Sequence, residues 1–193
     1  MSDTPIYGEN SSPAGGSTVV TIPEPLIVEP QSEIHQAVHN GTAYDEVIEI
    51  YDVAKNGIVD IFITVGANYT FIQGVKVFCS QGNLRATILE DVIVSDNGTA
   101  QLEAVCRNRD LRSTPTTLFY INPTITDPGT SIYEQWVPPT DSGAGADGFR
   151  ISSGAEDQFL LRANTNYIMR LNNQCKTNID IFFEMSWSEE ASY

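Results

Sequence analysis

His35 and His39 are the only two histidines of the chain, and they stand four residues apart in Glu33-Ile34-His35-Gln36-Ala37-Val38-His39. That spacing puts both imidazoles on one face of a helix, and a strand would do the same. A metal centre needs more ligands, and Glu33 is the only local candidate of matching parity. Both therefore read as hydrogen-bonding residues at the surface or in the core rather than as a metal site. Adjacent carboxylates occur at Asp45-Glu46 and Glu90-Asp91. Acid–base catalysis needs two carboxyl groups in opposed environments. With 25 Asp and Glu in 193 residues, however, such neighbours arise by chance. There is no Gly-x-Ser-x-Gly turn, no P-loop, and no Gly-x-Gly-x-x-Gly after a strand. The chain reads as a binding and structural protein rather than an enzyme, with no catalytic residue and no cofactor.

Cysteine and arginine carry the remaining chemistry. Cys79, Cys106 and Cys175 form an odd set without CxxC spacing, each in or beside an apolar run, and read as reduced, buried thiols. Lys and Arg number 10 against the 25 acids, giving a net charge of −15. Such a surface repels phosphate backbones and anionic lipid, so neither nucleic acid nor membrane is an expected partner. No apolar run reaches the roughly 18–20 residues of a spanning helix. The first residues carry no basic-then-apolar leader, so synthesis and residence in a cytoplasm are expected. Against this anionic background Arg107-Asn108-Arg109-Asp110, with Arg112, concentrates positive charge. Guanidinium groups pair carboxylates in a planar, bidentate way. Two readings stay open: a network tying one loop to its own domain, or a bridge between subunits of a homo-oligomer.

The elements that must position these groups are short strands. Val47, Glu49, Tyr51 and Val53 alternate with Ile48, Ile50 and Asp52, and a β-branched run follows over Ile58–Val65. Val75–Phe78 and Leu84–Leu89 flank Ser80-Gln81-Gly82-Asn83, a hairpin-like loop. Further strands are expected at Ala100–Cys106, Thr116–Ile121, Ser131–Val137, Phe159–Leu161, Tyr167–Leu171 and Ile179–Trp187. Little helix is expected, because no segment sustains a 3.6-residue period with caps at both ends. Pro138 to Gly154 reads as an exposed loop. The three Asn-x-Thr sequences, at Asn40, Asn68 and Asn97, read as turns rather than glycosylation sites. The expected fold is all-β, a jelly-roll-like antiparallel β-sandwich over residues 31–193. Residues 1–30 carry five prolines and read as an extended arm, whose Val19, Val20, Ile22, Leu26, Ile27 and Val28 offer apolar contact. A plain disordered tail is the alternative.

In order along the chain, Glu103-Ala104, Arg107-Asn108-Arg109, Pro123-Thr124-Ile125-Thr126-Asp127-Pro128-Gly129-Thr130, and Phe159-Leu160-Leu161 with Asn164-Thr165-Asn166-Tyr167 form a recognisable succession. With His35…His39-Asn40-Gly41-Thr42 and Val59–Thr64 upstream, it resembles a group of tailed-bacteriophage virion proteins. It departs from their pattern at Cys106 and at Glu184-Met185-Ser186-Trp187. The resemblance implies a β-sandwich component of the particle exterior and transfers no catalytic residue. The expected function is that of a capsid decoration (cement) protein, made in the host cytoplasm and resident on the capsid exterior. Its expected partners are its own copies in a homotrimer, the major capsid protein and neighbouring virion subunits. Arg107, Asn108, Arg109, Arg112 and the apolar residues of the arm are the expected contacts. The alternative is a fibre or tail receptor-binding head that recognises a host glycan or protein.

Overall fold

Period-two alternation builds the first strand. In β1 (Ala43–Val53) Tyr44, Glu46 and Ile48 are buried while Val47, Glu49 and Tyr51 are exposed, as opposite faces of a pleated strand require. Strict alternation would put Val53 with the exposed set, yet it is buried. The pairing slips between Ile50 and Val53, and Asp52 takes a φ of 55°. One extra residue in a bulge turns every later side chain over.

The computed structural model describes residues 33–80, 83–100, 104–137, 149–151 and 159–190. The 1–30 stretch, with Val19, Val20, Ile22, Leu26, Ile27 and Val28, lies outside the described residues.

The molecule is a nearly all-β sandwich of antiparallel sheets. The first sheet runs, in spatial order, β11 (Phe149–Ile151), β3 (Tyr69–Cys79), β14 (Ile179–Glu190), β1 and β7 (Val105–Cys106), with β12 (Phe159–Leu161) also pairing β3. The second runs β10 (Thr130–Val137), β4 (Leu84–Glu90), β13 (Asn166–Asn173), β2 (Ile58–Thr64), β8 (Leu118–Ile121) and β6 (Thr99–Ala100). Between them lie Ile48, Val77, Phe183 and Met185 from one sheet and Ile61, Leu84, Met169 and Leu171 from the other. Trp187 is fully buried, its ring 5.2 Å from Phe119 and 5.6 Å from Tyr44. Burying side chains of this size contributes roughly 1.5–3 kcal/mol each before ordering costs.

Three expectations need correction. Ser80–Asn83 does not close a hairpin: β3 and β4 lie in different sheets, so the segment crosses the sandwich. The expected strand over Ala100–Cys106 divides, with β6 in one sheet and β7 in the other. The expected loop from Pro138 to Gly154 contains β11, which pairs Val75–Val77 of β3. In each case local sequence carries the turn or strand signal, but only the tertiary partner decides which sheet receives it.

Two elements cap one end of the sandwich. Helix α1 (Glu33–Asn40) buries Ala37 and stops at Gly41, whose φ is 72°. There Gly41 N–H donates to Val38 O at 3.1 Å and Thr42 N–H to Ala37 O at 2.9 Å, the paired bonds of a Schellman stop. A ribbon of β5 (Ile93–Asp96) and β9 (Thr124–Asp127) contributes Val94 and Ile125, which pack on Phe62, Leu89 and Ile168 on the outer face of the second sheet. At the opposite end, where the turn from β1 to β2 lies, Tyr51, Ile58 and Trp136 are 69, 52 and 55% exposed.

Candidate binding surfaces

The arginine segment follows β7 at the capped end. Asn108 is its frame: the side-chain oxygen accepts from Asp110 N–H at 3.1 Å and Leu111 N–H at 3.4 Å, while its amide donates to His39 O at 3.1 Å. Arg107 is spent internally as well. Its N–H donates to Ala43 O at 2.8 Å, and its guanidinium lies 3.7 Å from Asp45 and 3.2 Å from Gln73 Oε1. Of the two open readings, the intrachain network describes Arg107 and Asn108. Arg112, at φ 47°, donates from Nε to Arg109 O at 3.2 Å. Arg85, Arg162 and Arg170 pair Glu134, Glu90 with Asp91, and Asp60. Arg109 and Arg112 have no carboxylate partner among the described residues. They flank a cleft of about 280 Å³ with Cys106, Ser113 and Thr114. Ser113 Oγ meets Tyr44 Oη at 3.0 Å and donates to Gly41 O.

Glu189 is buried with no cationic partner among the described residues. Its carboxylate accepts from Thr116 N–H at 2.9 Å, Thr116 Oγ1 at 2.8 Å, Thr117 N–H at 2.8 Å and Trp187 Nε1 at 3.3 Å. Hydrogen bonds stand in for a counter-ion and tie the segment before β8 to the last strand. No sequence motif announces this carboxylate.

Neither carboxylate doublet is arranged for acid–base work. Asp45 and Glu46 are consecutive in a strand and so face opposite sides. Asp45 pairs Arg107, whereas Glu46 is buried and its carboxyl is pushed up to about 7 by desolvation alone. Glu90 and Asp91 converge on one guanidinium, Arg162, at 3.0 Å each, and Glu90 also accepts from Tyr167 Oη at 2.8 Å. That is a clamp between β4 and the start of β13. His35 and His39 share a helix face with their Nε2 atoms 2.9 Å apart. Among the described residues no group of three or more His, Cys, Asp or Glu is placed to hold a metal. The cysteines are all buried, and burial pushes the Cys79 thiol up to about 11, which keeps it protonated and unreactive at neutral pH.

A second surface lies on the outer face of the first sheet, at the end away from the arginines. Register places Glu49, Phe182 and Phe78 side by side across β1, β14 and β3. With Tyr51 and Asp180 they line a groove of about 300 Å³. The Phe78 and Phe182 rings are 6.0 Å apart, and Tyr51 Oη donates to Glu49. Asp180 accepts from Asp52 N–H at 2.9 Å, so the bulge positions one acidic wall. These residues fall on three strands far apart in sequence and become neighbours only through sheet pairing.

The described residues thus form an antiparallel β-sandwich with an arginine-flanked cleft on one surface and an acidic, aromatic groove on another. No family model matches the chain, and no curated protein matches it.

Proposed function

We propose that the chain is a phage virion structural protein, a capsid decoration (cement) protein that binds the outside of the major capsid shell as a homo-oligomer and stabilises it. The observation that carries the binding role is the set of large apolar side chains exposed toward one end of the sandwich. Ile58 and Trp136 project from the outer face of the second sheet, and Tyr51 from the first, in a chain of net charge −15. Ile58 and Trp136 stand in one cross-strand row of that face with Arg85 and Asn172 between them, and large apolar side chains held out into solvent suit a contact with another protein. The virion setting rests on the order of motifs from His35 to Trp187, and trimers are what that resemblance implies. A receptor-binding head is the second reading, favoured by the Tyr51–Phe78–Phe182 groove, whose carboxylates suit sugar hydroxyls.

The test uses particles stripped of the protein and recombinant chain added back. Full-length protein is expected to rebind and to raise the temperature at which the shell opens. Deleting residues 1–30, or substituting Ile58→Ser with Trp136→Ala, is expected to lower occupancy at least about tenfold. Undiminished occupancy of the truncated form would leave a tail in place of an arm. Failure of the full-length protein to rebind would overturn the decoration role.

A further inference from the structure

The two surfaces have complementary chemistry, and no single copy can bring them together. Arg109 and Arg112 carry positive charge with no carboxylate partner among the described residues, beside Leu111, which is 56% exposed. The groove offers the matching wall: Glu49 and Asp180 for guanidinium groups, and Tyr51, Phe78 and Phe182 for a cation over a ring or for an apolar side chain. Asp45, beside the arginine segment, and Tyr51, in the groove, are six residues apart along β1, about 20 Å at strand rise. That exceeds the reach of an arginine side chain, so a copy's own Arg109 and Arg112 do not enter its own groove.

We infer that the arginine segment 109–112 of one copy docks into the Glu49–Tyr51–Phe78–Asp180–Phe182 groove of the next. This is a head-to-tail contact between different patches, and it closes into a ring when the rotation per step allows. The inference deepens the homo-oligomer part of the reading above and supplies its geometry. The contact is partly ionic, so added salt weakens it.

Sedimentation velocity on the full-length chain in solution, without shells, tests it. Wild type is expected to form a concentration-dependent oligomer that shrinks between low and high salt. Arg109→Glu with Arg112→Glu is expected to weaken association at least about tenfold, and Glu49→Arg with Asp180→Arg to do the same. All four substitutions in one chain restore opposite charges across the contact and are expected to restore the oligomer. Tyr51→Ala and Leu111→Ser change exposed residues, leave the fold in place and are expected to weaken association independently. Rescue by the charge swap excludes a glycan as the groove's purpose, because sugars would not re-pair it. A wild type that stays monomeric, an oligomer untouched by either charge reversal or by Tyr51→Ala, or a correctly folded charge-swapped chain that stays apart would each overturn the inference. None of these outcomes depends on shell occupancy, which tests the decoration role separately.

Discussion

Glu46 is a carboxyl on the core face of β1 with neither a cation nor a hydrogen bond among the described residues. Desolvation holds its carboxyl at about 7, above the ordinary 4.5. Between those values the folded chain binds more protons than the unfolded one, so stability falls as pH rises through the window and levels off above it. Glu46→Gln removes the charged form. The variant is expected to be more stable than wild type at pH 8 by about 1–3 kcal/mol, with the gap closing by pH 4.5. Urea unfolding at the two pH values measures it, and a gap that does not change with pH would contradict the account. Glu189 presents the opposite case, a buried carboxylate satisfied by Thr116, Thr117 and Trp187. Glu189→Gln turns an amide donor toward backbone N–H groups and is expected to cost about 2–4 kcal/mol, read as a lower urea midpoint at unchanged slope. Sequence alone marks both residues only as acids in an acidic chain. Their difference comes from which strand face and which neighbour each receives.

At the scale of elements, the turn from β9 to β10 holds the closest glycine approach among the described residues. Gly129 has a φ of 67°, and a Cβ there would lie 2.0 Å from Glu90 O, a backbone atom that cannot swing away. Gly129→Ala is expected to cost about 3 kcal/mol or more, lowering the melting temperature by about 6–12 °C. Gly74 lies in β3 with nothing within 4 Å of its added Cβ, so Gly74→Ala is the matched control and is expected to be close to neutral. Scanning calorimetry of the pair decides whether the close approach, rather than glycine content, holds this corner.

Strand existence was largely legible in advance. The runs at Leu84–Leu89, Ser131–Val137 and Ile179–Trp187 fall on observed strands, and Ile58–Val65 does so up to Thr64, because a half-buried strand must alternate or be apolar throughout. Sheet membership was not legible. Nothing within Ser80–Asn83 distinguishes a hairpin from a crossing, since that depends on β14 and β13, about 100 residues downstream. The ribbon of β5 and β9 escaped for a related reason: strands of four residues on an outer face carry too little periodicity. The arginine cluster was visible as composition. Its division into framing Arg107 and Asn108 and outward Arg109 and Arg112 required the positions of His39, Ala43 and Asp45.

For the whole molecule, the sandwich has unlike ends. One carries helix α1, the ribbon and the arginine segment. The other carries Tyr51, Ile58 and Trp136, all exposed. A monomer with no partner would gain solubility by exchanging those three for polar groups, and little in the fold holds them there. Trp136→Ala is accordingly expected to shift stability by no more than about 1 kcal/mol while lowering shell occupancy, a separation that thermal melting and particle binding measure on the same variant.

A reconstruction of the intact particle tests the central claim most directly. The sandwich is expected on the outer surface of the capsid shell, its Ile58–Trp136 face and residues 1–30 in contact with neighbouring chains. Density for the chain only at a tail or fibre tip, with that face open to solvent, would contradict it.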